Sequence, residues 1–267
     1  MLAKFTKSLL LFPLFRTTRK QTIIRKESSV ASQEIGPMPE VVYRDVMPDD
    51  VQGIRELHME CFPIKYENTF FENVCNGKGF RGIPLYSQVA VEVESSRIVG
   101  CILGQFILSD KSDDSGFFSE TKRPAKYVFY ILTLGLCSDY RRTGLGTELL
   151  MLTLKHARKN PDCGAVYLHV IHYNIPAIKF YERNGFTYLR ELVEFYHIEN
   201  IYHSSYLYVL HINGFEPPLL HRFFVRMRKV TRSGLDILIN WARSFGSLGT
   251  SSNSSSPLAI SQSTQVP

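Results

Sequence analysis

The sequence predicts an α+β fold, a mixed and mostly antiparallel twisted sheet flanked by helices, and three patterns carry that prediction. Gln88 to Val93 and Ile98 to Ile107 are two β-branched runs around a Glu94-Ser95-Ser96 turn, which reads as an antiparallel hairpin. From Tyr127 to Gly185 a strand, a helix, a strand and a helix follow one another. Two β-rich runs, Tyr188 to Tyr196 and Ser205 to Ile212, then close the sheet, with Ile198 to Ser204 as their connection.

Taken in order, Met1 to Lys26 is a basic leader and Ser28 to Pro39 a linker of Ser, Gly and Pro without hydrophobic period. Val41 to Arg44 is the first strand, and Met47-Pro48-Asp49-Asp50 opens a helix through Ile54 and Leu57 to Cys61, with Asp49 or Asp50 as its cap. Gly100 and Gly104 in the second hairpin strand permit close approach of neighbours. Ser109 to Pro124, rich in Asp, Lys, Ser and Gly, reads as an exposed insert without a motif. Tyr127 to Leu136 is almost wholly β-forming, and Thr147 to Arg158 carries Leu149, Leu150, Leu152, Leu154 and Ala157 as a buried helix. Ala165 to Ile171 is the next strand, and Ile175 to Asn184 a helix stopped by Gly185. The domain proper therefore spans 40–216, after a largely disordered segment 1–39.

A chain of 267 residues, 44% hydrophobic and 21% charged, is long enough for one domain with tails and is neither fibrous nor disordered throughout. Its net charge of +6 is uneven. Residues 1–26 hold seven basic and no acidic residues, residues 221–243 hold six basic and one acidic, and the rest of the chain is net acidic. An acidic body lacks the positive patch that nucleic acid requires, so no nucleic-acid partner is expected. Cys61, Cys75, Cys101, Cys137 and Cys163 lie far apart without a CxxC pair, which indicates neither a metal site nor a disulfide framework but a reducing compartment. Cys137 reads as a small core residue.

No apolar run reaches the length of a membrane span. The leader, with Leu9 to Phe15 broken by Pro13, fits a mitochondrial presequence or a basic segment that adheres to an anionic membrane, and fits a secretory signal poorly. Leu219 to Lys229 places Leu220, Phe223, Phe224 and Met227 on one helical face among Arg222, Arg226, Arg228 and Lys229. After Ser233-Gly234 the pattern returns with Leu235, Leu238, Trp241, Ala242 and Phe245. Residues 217–246 thus read as amphipathic helices for a membrane surface, with docking against the domain itself as the alternative. The Ser-rich end, 247–267, reads as disordered.

Chemistry concentrates between the Leu134 strand and the Leu149 helix, in Asp139-Tyr140-Arg141-Arg142-Thr143-Gly144-Leu145-Gly146-Thr147. Glycines at 144 and 146 let backbone N–H groups approach an anion, and the helix they open adds its positive dipole end. The pattern is neither GxxxxGK[ST] nor GxGxxG, and two glycines alone also fit a plain helix start.

With Asn174 and Phe180-Tyr181-Glu182-Arg183-Asn184-Gly185-Phe186 downstream, the run Arg141, Gly144, Gly146 resembles the GCN5-related N-acetyltransferase (GNAT) superfamily. That resemblance implies the GNAT fold with acetyl-CoA as cosubstrate. It assigns the pyrophosphate to the loop of Arg141, Arg142, Thr143, Gly144, Leu145, Gly146 and Thr147. The pantetheine arm falls along Leu134-Gly135-Leu136, and Asn174, Tyr181 and Asn184 line the same channel. Phe62-Pro63-Ile64-Lys65-Tyr66, Tyr130 to Gly135 and Tyr167-Leu168-His169-Val170 narrow it to N-terminal α-amine acetyltransferases acting on Met-starting proteins. Phe195-Tyr196, Tyr206 to Gly214, Pro217-Pro218 and the basic tail resemble most the Golgi-associated NatF type. The resemblance spans roughly residues 41 to 245 and leaves the leader aside.

From this resemblance follow Tyr130 and His169 as catalytic residues, and Phe62, Tyr66, Leu132 and Tyr196 as the acceptor pocket. Taken singly, His169 fits a packed histidine and Tyr130 a core side chain; together, on strands that a βαβ unit makes neighbours, they fit a proton-transfer pair. An α-amine titrates near ~8 against ~10.4 for lysine, so a modest base suffices to hold it neutral. No cysteine is placed as acyl carrier, which favours direct attack in a ternary complex. Lys65 is basic where relatives often carry an acid, which bears on the second residue of the acceptor, and His172 and Tyr173 lie nearby without an assigned role. The expected partners are Met-hydrophobic and Met-Lys protein N-termini, facing the cytosol on transmembrane proteins, with a monomer or weak homodimer at the cytosolic face of Golgi membranes. Lysine or histone acetylation and a silent acetyl-CoA-binding membrane scaffold are the rival functions.

Overall fold

The computed structural model describes residues 39–64, 66–118 and 125–218. Strands β1 (Val41–Asp45), β2 (Tyr86–Glu92), β3 (Ile98–Leu108), β4 (Tyr127–Leu136), β5 (Cys163–Ile171), β6 (Thr187–Ile198) and β7 (Ile201–His211) form one sheet in the order β1-β2-β3-β4-β5-β7-β6. Helices α1 (Val51–Cys61), α2 (Asn68–Cys75), α3 (Leu145–Arg158) and α4 (Ile175–Arg183) flank it. Neighbouring strands are antiparallel except β4 and β5. A parallel pair needs a crossover, and α3 supplies it, so the mixed α+β sheet read from the sequence is the one that forms. The basic leader, Lys65 and the amphipathic and Ser-rich tail lie outside the described residues.

Helices cover both faces. A Cβ on Gly135 would lie 3.2 Å from Cys61 and Phe62 at the end of α1, whereas the side chain of its neighbour Leu136 meets Gly100 and Gly146, the latter in α3. Successive residues of a strand point to opposite faces, so α1 and α3 sit on opposite sides. The alternation is reset within β4: Leu103 pairs with Thr133 and Gly104 with Ile131, leaving Leu132 as an extra residue, a β-bulge. The bulge lets Phe129, whose ring packs near His156 of α3, and Leu136 share a face although residues seven apart point to opposite faces of a regular strand. Ile54, Leu57, Ile102, Leu103, Leu134 and Leu149 are at most 2% exposed and belong to one core.

Four sequence readings are corrected. Helix α2, not foreseen, follows the Phe62 to Tyr66 segment and buries Phe71 and Val74. The 198–204 connection is mostly strand, because Glu199 and Asn200, at φ +50° and +64°, turn the β6–β7 hairpin in two residues. Asp50 does not cap α1 through its side chain; its carboxylate takes the Met47 N–H at 2.7 Å and the Arg44 guanidinium at 2.6 and 2.8 Å. The 109–124 insert is not simply exposed, since Asp114 and Phe117 are 7% and 3% accessible.

Candidate active site

The strands β4 and β5 pair from Tyr127 with Cys163 as far as Tyr130 with Tyr167, and no further. Both continue, β4 to Leu136 and β5 to Ile171, the latter still paired with β7. The sheet therefore splits after Tyr130, and the β4 edge from Ile131 onward faces a notch at its centre.

Tyr130 and His169 stand at the start of that notch. Tyr130 Oη lies 3.0 Å from His169 Nδ1, and the Tyr130 ring stacks on Tyr167 with centroids 4.8 Å apart. On the far side of the imidazole, Nε2 is 3.0 Å from Asp114 Oδ2, a close approach outside hydrogen-bond alignment, and the Phe195 ring lies 4.4 Å away. Arg190 of β6 holds the other carboxylate oxygen of Asp114 at 3.0 Å. Burial by itself would raise the Asp114 pKa, but His169 and Arg190 outweigh it and leave the carboxyl below its ordinary value. Burial, then the nearby Tyr196, Tyr167 and Asp114, drive the Tyr130 hydroxyl well above the ordinary tyrosine value. An ionised Asp114 facing Nε2 keeps the imidazole proton there, which leaves Nδ1 as the lone pair receiving the Tyr130 hydroxyl.

A cavity of about 440 Å³ opens onto this pair, walled by Phe80, Leu132, Asp114, Tyr130, His169 and Phe195 among others. Such a volume suits a small ligand or a peptide end. Leu132, placed by the bulge, is the one residue of the expected acceptor set on its wall. Phe62 is 4% exposed and packs on His58, Tyr66 stacks on Phe70, and Tyr196 is fully buried behind Phe195. The cavity-facing member of the Phe195-Tyr196 pair is thus the half-buried Phe195, since the side chains of a strand alternate.

The donor side is built from the turn before α3. Arg142 and Gly144 adopt left-handed backbone, φ +67° and +99°, and a side chain at 144 would stand in open space. Among the described residues, the N–H groups from Arg142 to Gly146 donate to no protein acceptor, while those of Thr147 and Glu148 bond back to Gly144. Five free donors at a helix start make an anion cradle. Thr143 spends its hydroxyl on the Tyr140 carbonyl at 2.7 Å. The Leu136 carbonyl already accepts from Arg141 Nε and the Cys61 thiol, so of Leu134-Gly135-Leu136 this group is committed to the protein. Asn174 caps α4 through the Ala177 N–H, Tyr181 is 1% exposed between Phe180 and Phe186, and Asn184 donates to the Phe180 carbonyl at the end of α4. These three are engaged in and around α4. Cys137 is buried with the four other cysteines, all unpaired.

Sequence reasoning missed Asp114, Arg190 and Phe80. Asp114 sits in a polar run whose period says nothing of burial; the one available signal was the adjacent Phe117-Phe118 pair, which a fully exposed insert does not need.

Comparison with known proteins agrees with this architecture. The acetyltransferase (GNAT) family matches residues 51–186. The chain is 32% identical over 193 residues to the histone acetyltransferase MCC1 of Arabidopsis thaliana, covering 72% of this chain and 78% of that protein. It is 30% identical over 185 residues to N-alpha-acetyltransferase 60 of Xenopus tropicalis, covering 68% and 74%. Crystal structures of Arabidopsis thaliana NAA60 with a bisubstrate analogue and with acetyl-CoA superpose with TM-scores of 0.58 and 0.57 at 34% identity, covering 66% of this chain and 99% and 100% of theirs.

Proposed function

Starting from a chain that belongs to the GNAT acetyltransferase family and is an N-α-acetyltransferase, we propose that it acetylates protein N-termini beginning with Met, chiefly Met-hydrophobic and also Met-Lys. The observation that carries the mechanism is the 3.0 Å contact of Tyr130 Oη with His169 Nδ1 at the mouth of the split between β4 and β5. Acetyl-CoA supplies the activated acetyl thioester. The cradle fits its pyrophosphate, because the N–H groups of 142–146 have no acceptor among the described residues and Gly144 leaves the approach open.

On the acceptor side, the cavity beside Leu132, Phe80 and Phe195 receives the peptide end. As the neutral α-amine forms its bond to the acyl carbon, its nitrogen must lose a proton. Tyr130 takes that proton at Oη while passing its own to His169 Nδ1, so the imidazole acts through the hydroxyl and not beside it. Asp114 stabilises the imidazolium that results, and Arg190 fixes Asp114. His169 then returns the proton to solvent or to the departing thiolate, which closes the balance. No cysteine enters the path, in keeping with direct attack in a ternary complex.

The test is acetyl transfer to Met-Leu and Met-Lys peptides, beside the same peptides with blocked α-amine and free lysine. Wild type is expected to acetylate only the free α-amine, with His169→Ala and Tyr130→Phe slowed ~10²-fold or more. Acetylation confined to lysine would favour the second reading, which the name of the histone acetyltransferase relative supports. Acetyl-CoA binding without turnover would leave the scaffold reading. For location, the amphipathic pattern of residues 217–246 supports peripheral attachment to the cytosolic face of Golgi membranes, with cytosol-facing N-termini of transmembrane proteins as acceptors. Fractionation of the full chain against one ended at Glu216 checks this, and recovery of a shortened chain in mitochondria would overturn it in favour of the leader.

A further inference from the structure

The cradle loop has little holding it from within. Two of its residues are left-handed and, among the described residues, five successive N–H groups have no protein acceptor, an arrangement of neighbouring donors that an anion would satisfy. Its shape must come from the turn just before it, the 3-10 segment Ser138–Tyr140. Tyr140 is 6% exposed and is bonded in three directions. Its N–H donates to the Cys137 carbonyl at 3.1 Å, its carbonyl accepts the Thr143 hydroxyl at 2.7 Å, and its own hydroxyl donates to Glu92 Oε1 at 2.5 Å. Glu92 is the last residue of β2, 48 positions away in sequence, and its other oxygen accepts the Ser95 hydroxyl of the β2–β3 turn. A second carboxylate, Glu60 of α1, receives the Ser138 N–H at 2.7 Å.

Two carboxylates so near an anion cradle are unfavourable unless their charge is used locally, and here local donors occupy them. Glu92 lies below its ordinary carboxyl pKa through Ser95, Tyr140 and Arg97, and Tyr140 is pushed up to about 12, chiefly by Glu92. Tyr140 passes the restraint on: the Thr143 hydroxyl, bonded to the Tyr140 carbonyl, spans the left-handed Arg142.

We infer that Tyr140 and Glu92 form a positioning clamp that holds the 142–146 N–H groups in register for the pyrophosphate of the donor, a role beyond the proton-transfer site and resting on the acetyl-CoA reading above. The clamp touches neither the acetyl group nor the acceptor. Its loss acts on the part of the donor the cradle grips.

Two donors separate this from a general structural role: acetyl-CoA and S-acetylpantetheine, which keeps the thioester but lacks the pyrophosphate and nucleotide. Full-length Tyr140→Phe and Glu92→Ala are expected to raise the KM for acetyl-CoA at least fivefold, with kcat and the peptide KM within twofold of wild type. Activity with S-acetylpantetheine is expected to match wild type, and Glu92→Gln, which keeps an acceptor for the Tyr140 hydroxyl, to restore the acetyl-CoA KM. An acetyl-CoA KM within twofold of wild type in both clamp variants overturns the inference, as does an equal loss with both donors. Glu92→Ala, a change near the surface, guards against misfolding of Tyr140→Phe. Calorimetric binding of CoA to the same proteins reads the clamp even if wild type acetylates no N-terminal peptide, an outcome that sinks the acceptor reading alone.

Discussion

Asp114 Oδ2 lies 3.0 Å from His169 Nε2, and the two come from different elements: His169 from the interior of β5, Asp114 from the polar segment after β3. The contact gives the imidazole a direction. With the carboxylate at Nε2 and the Tyr130 hydroxyl at Nδ1, the ring can accept a proton only through Tyr130.

Removing the charge should therefore weaken proton transfer without affecting the donor site. Asp114→Asn is expected to lower kcat by about 10- to 100-fold, through loss of the negative charge that stabilises the imidazolium, with the acetyl-CoA KM unchanged. Steady-state kinetics with both substrates varied would decide it; a loss confined to KM would contradict the role.

The same carboxylate links stability to acid. Its folded pKa lies below the ordinary 3.8, so ionised Asp114 contributes stability that is fully present above that value and is lost as the pH falls through the lower folded pKa. Asp114→Asn should lower the melting temperature at pH 7, and the gap from wild type should shrink below about pH 4. Thermal melts from pH 7 to 2.5 measure it, and a gap constant with pH would argue against the ionic contact.

Much of this was legible in the sequence, and the limits have physical causes. β4 runs from Tyr127 to Leu136 as its unbroken β-formers indicate, and the glycine turn before α3 forms where its spacing predicts. The Tyr130–His169 pairing followed from a βαβ unit, a local rule. The bulge at Leu132 and the burial of Tyr196 depend on how β3 and β6 register against their neighbours, and no single-strand pattern encodes that. Asp114 was illegible for the same reason: its burial is decided by His169 and Arg190, 55 and 76 residues downstream.

Gly144 offers a test of the cradle that involves no clash. Its φ is +99° and a Cβ would meet nothing within 4 Å, so any effect of Gly144→Ala comes from backbone conformation. A left-handed alanine costs about 1–2 kcal/mol, which should raise the acetyl-CoA KM about fivefold or more while the peptide KM holds. An equal rise in both constants would point to a wider disturbance.

His58 predicts a second acid effect. It is 1% exposed inside the rings of Phe62, Tyr66, Phe70 and Phe71, with Nδ1 at 2.8 Å from the Ile54 carbonyl and Nε2 without a hydrogen-bond partner among the described residues. Burial lowers its pKa from 6.5 to about 4 despite the Ile54 bond. Between those values the unfolded chain binds a proton that the folded one does not, so stability falls as the pH drops from 6.5 and levels off below 4. The shift corresponds to roughly 3 kcal/mol over that window. His58→Phe should remove this slope, whatever it does to stability at pH 7, because phenylalanine takes up no proton. Denaturant unfolding of both proteins at pH 7, 5.5 and 4 provides the comparison, and parallel curves for the two would mean that His58 takes up its proton alike in the folded and unfolded chain, against a depressed pKa.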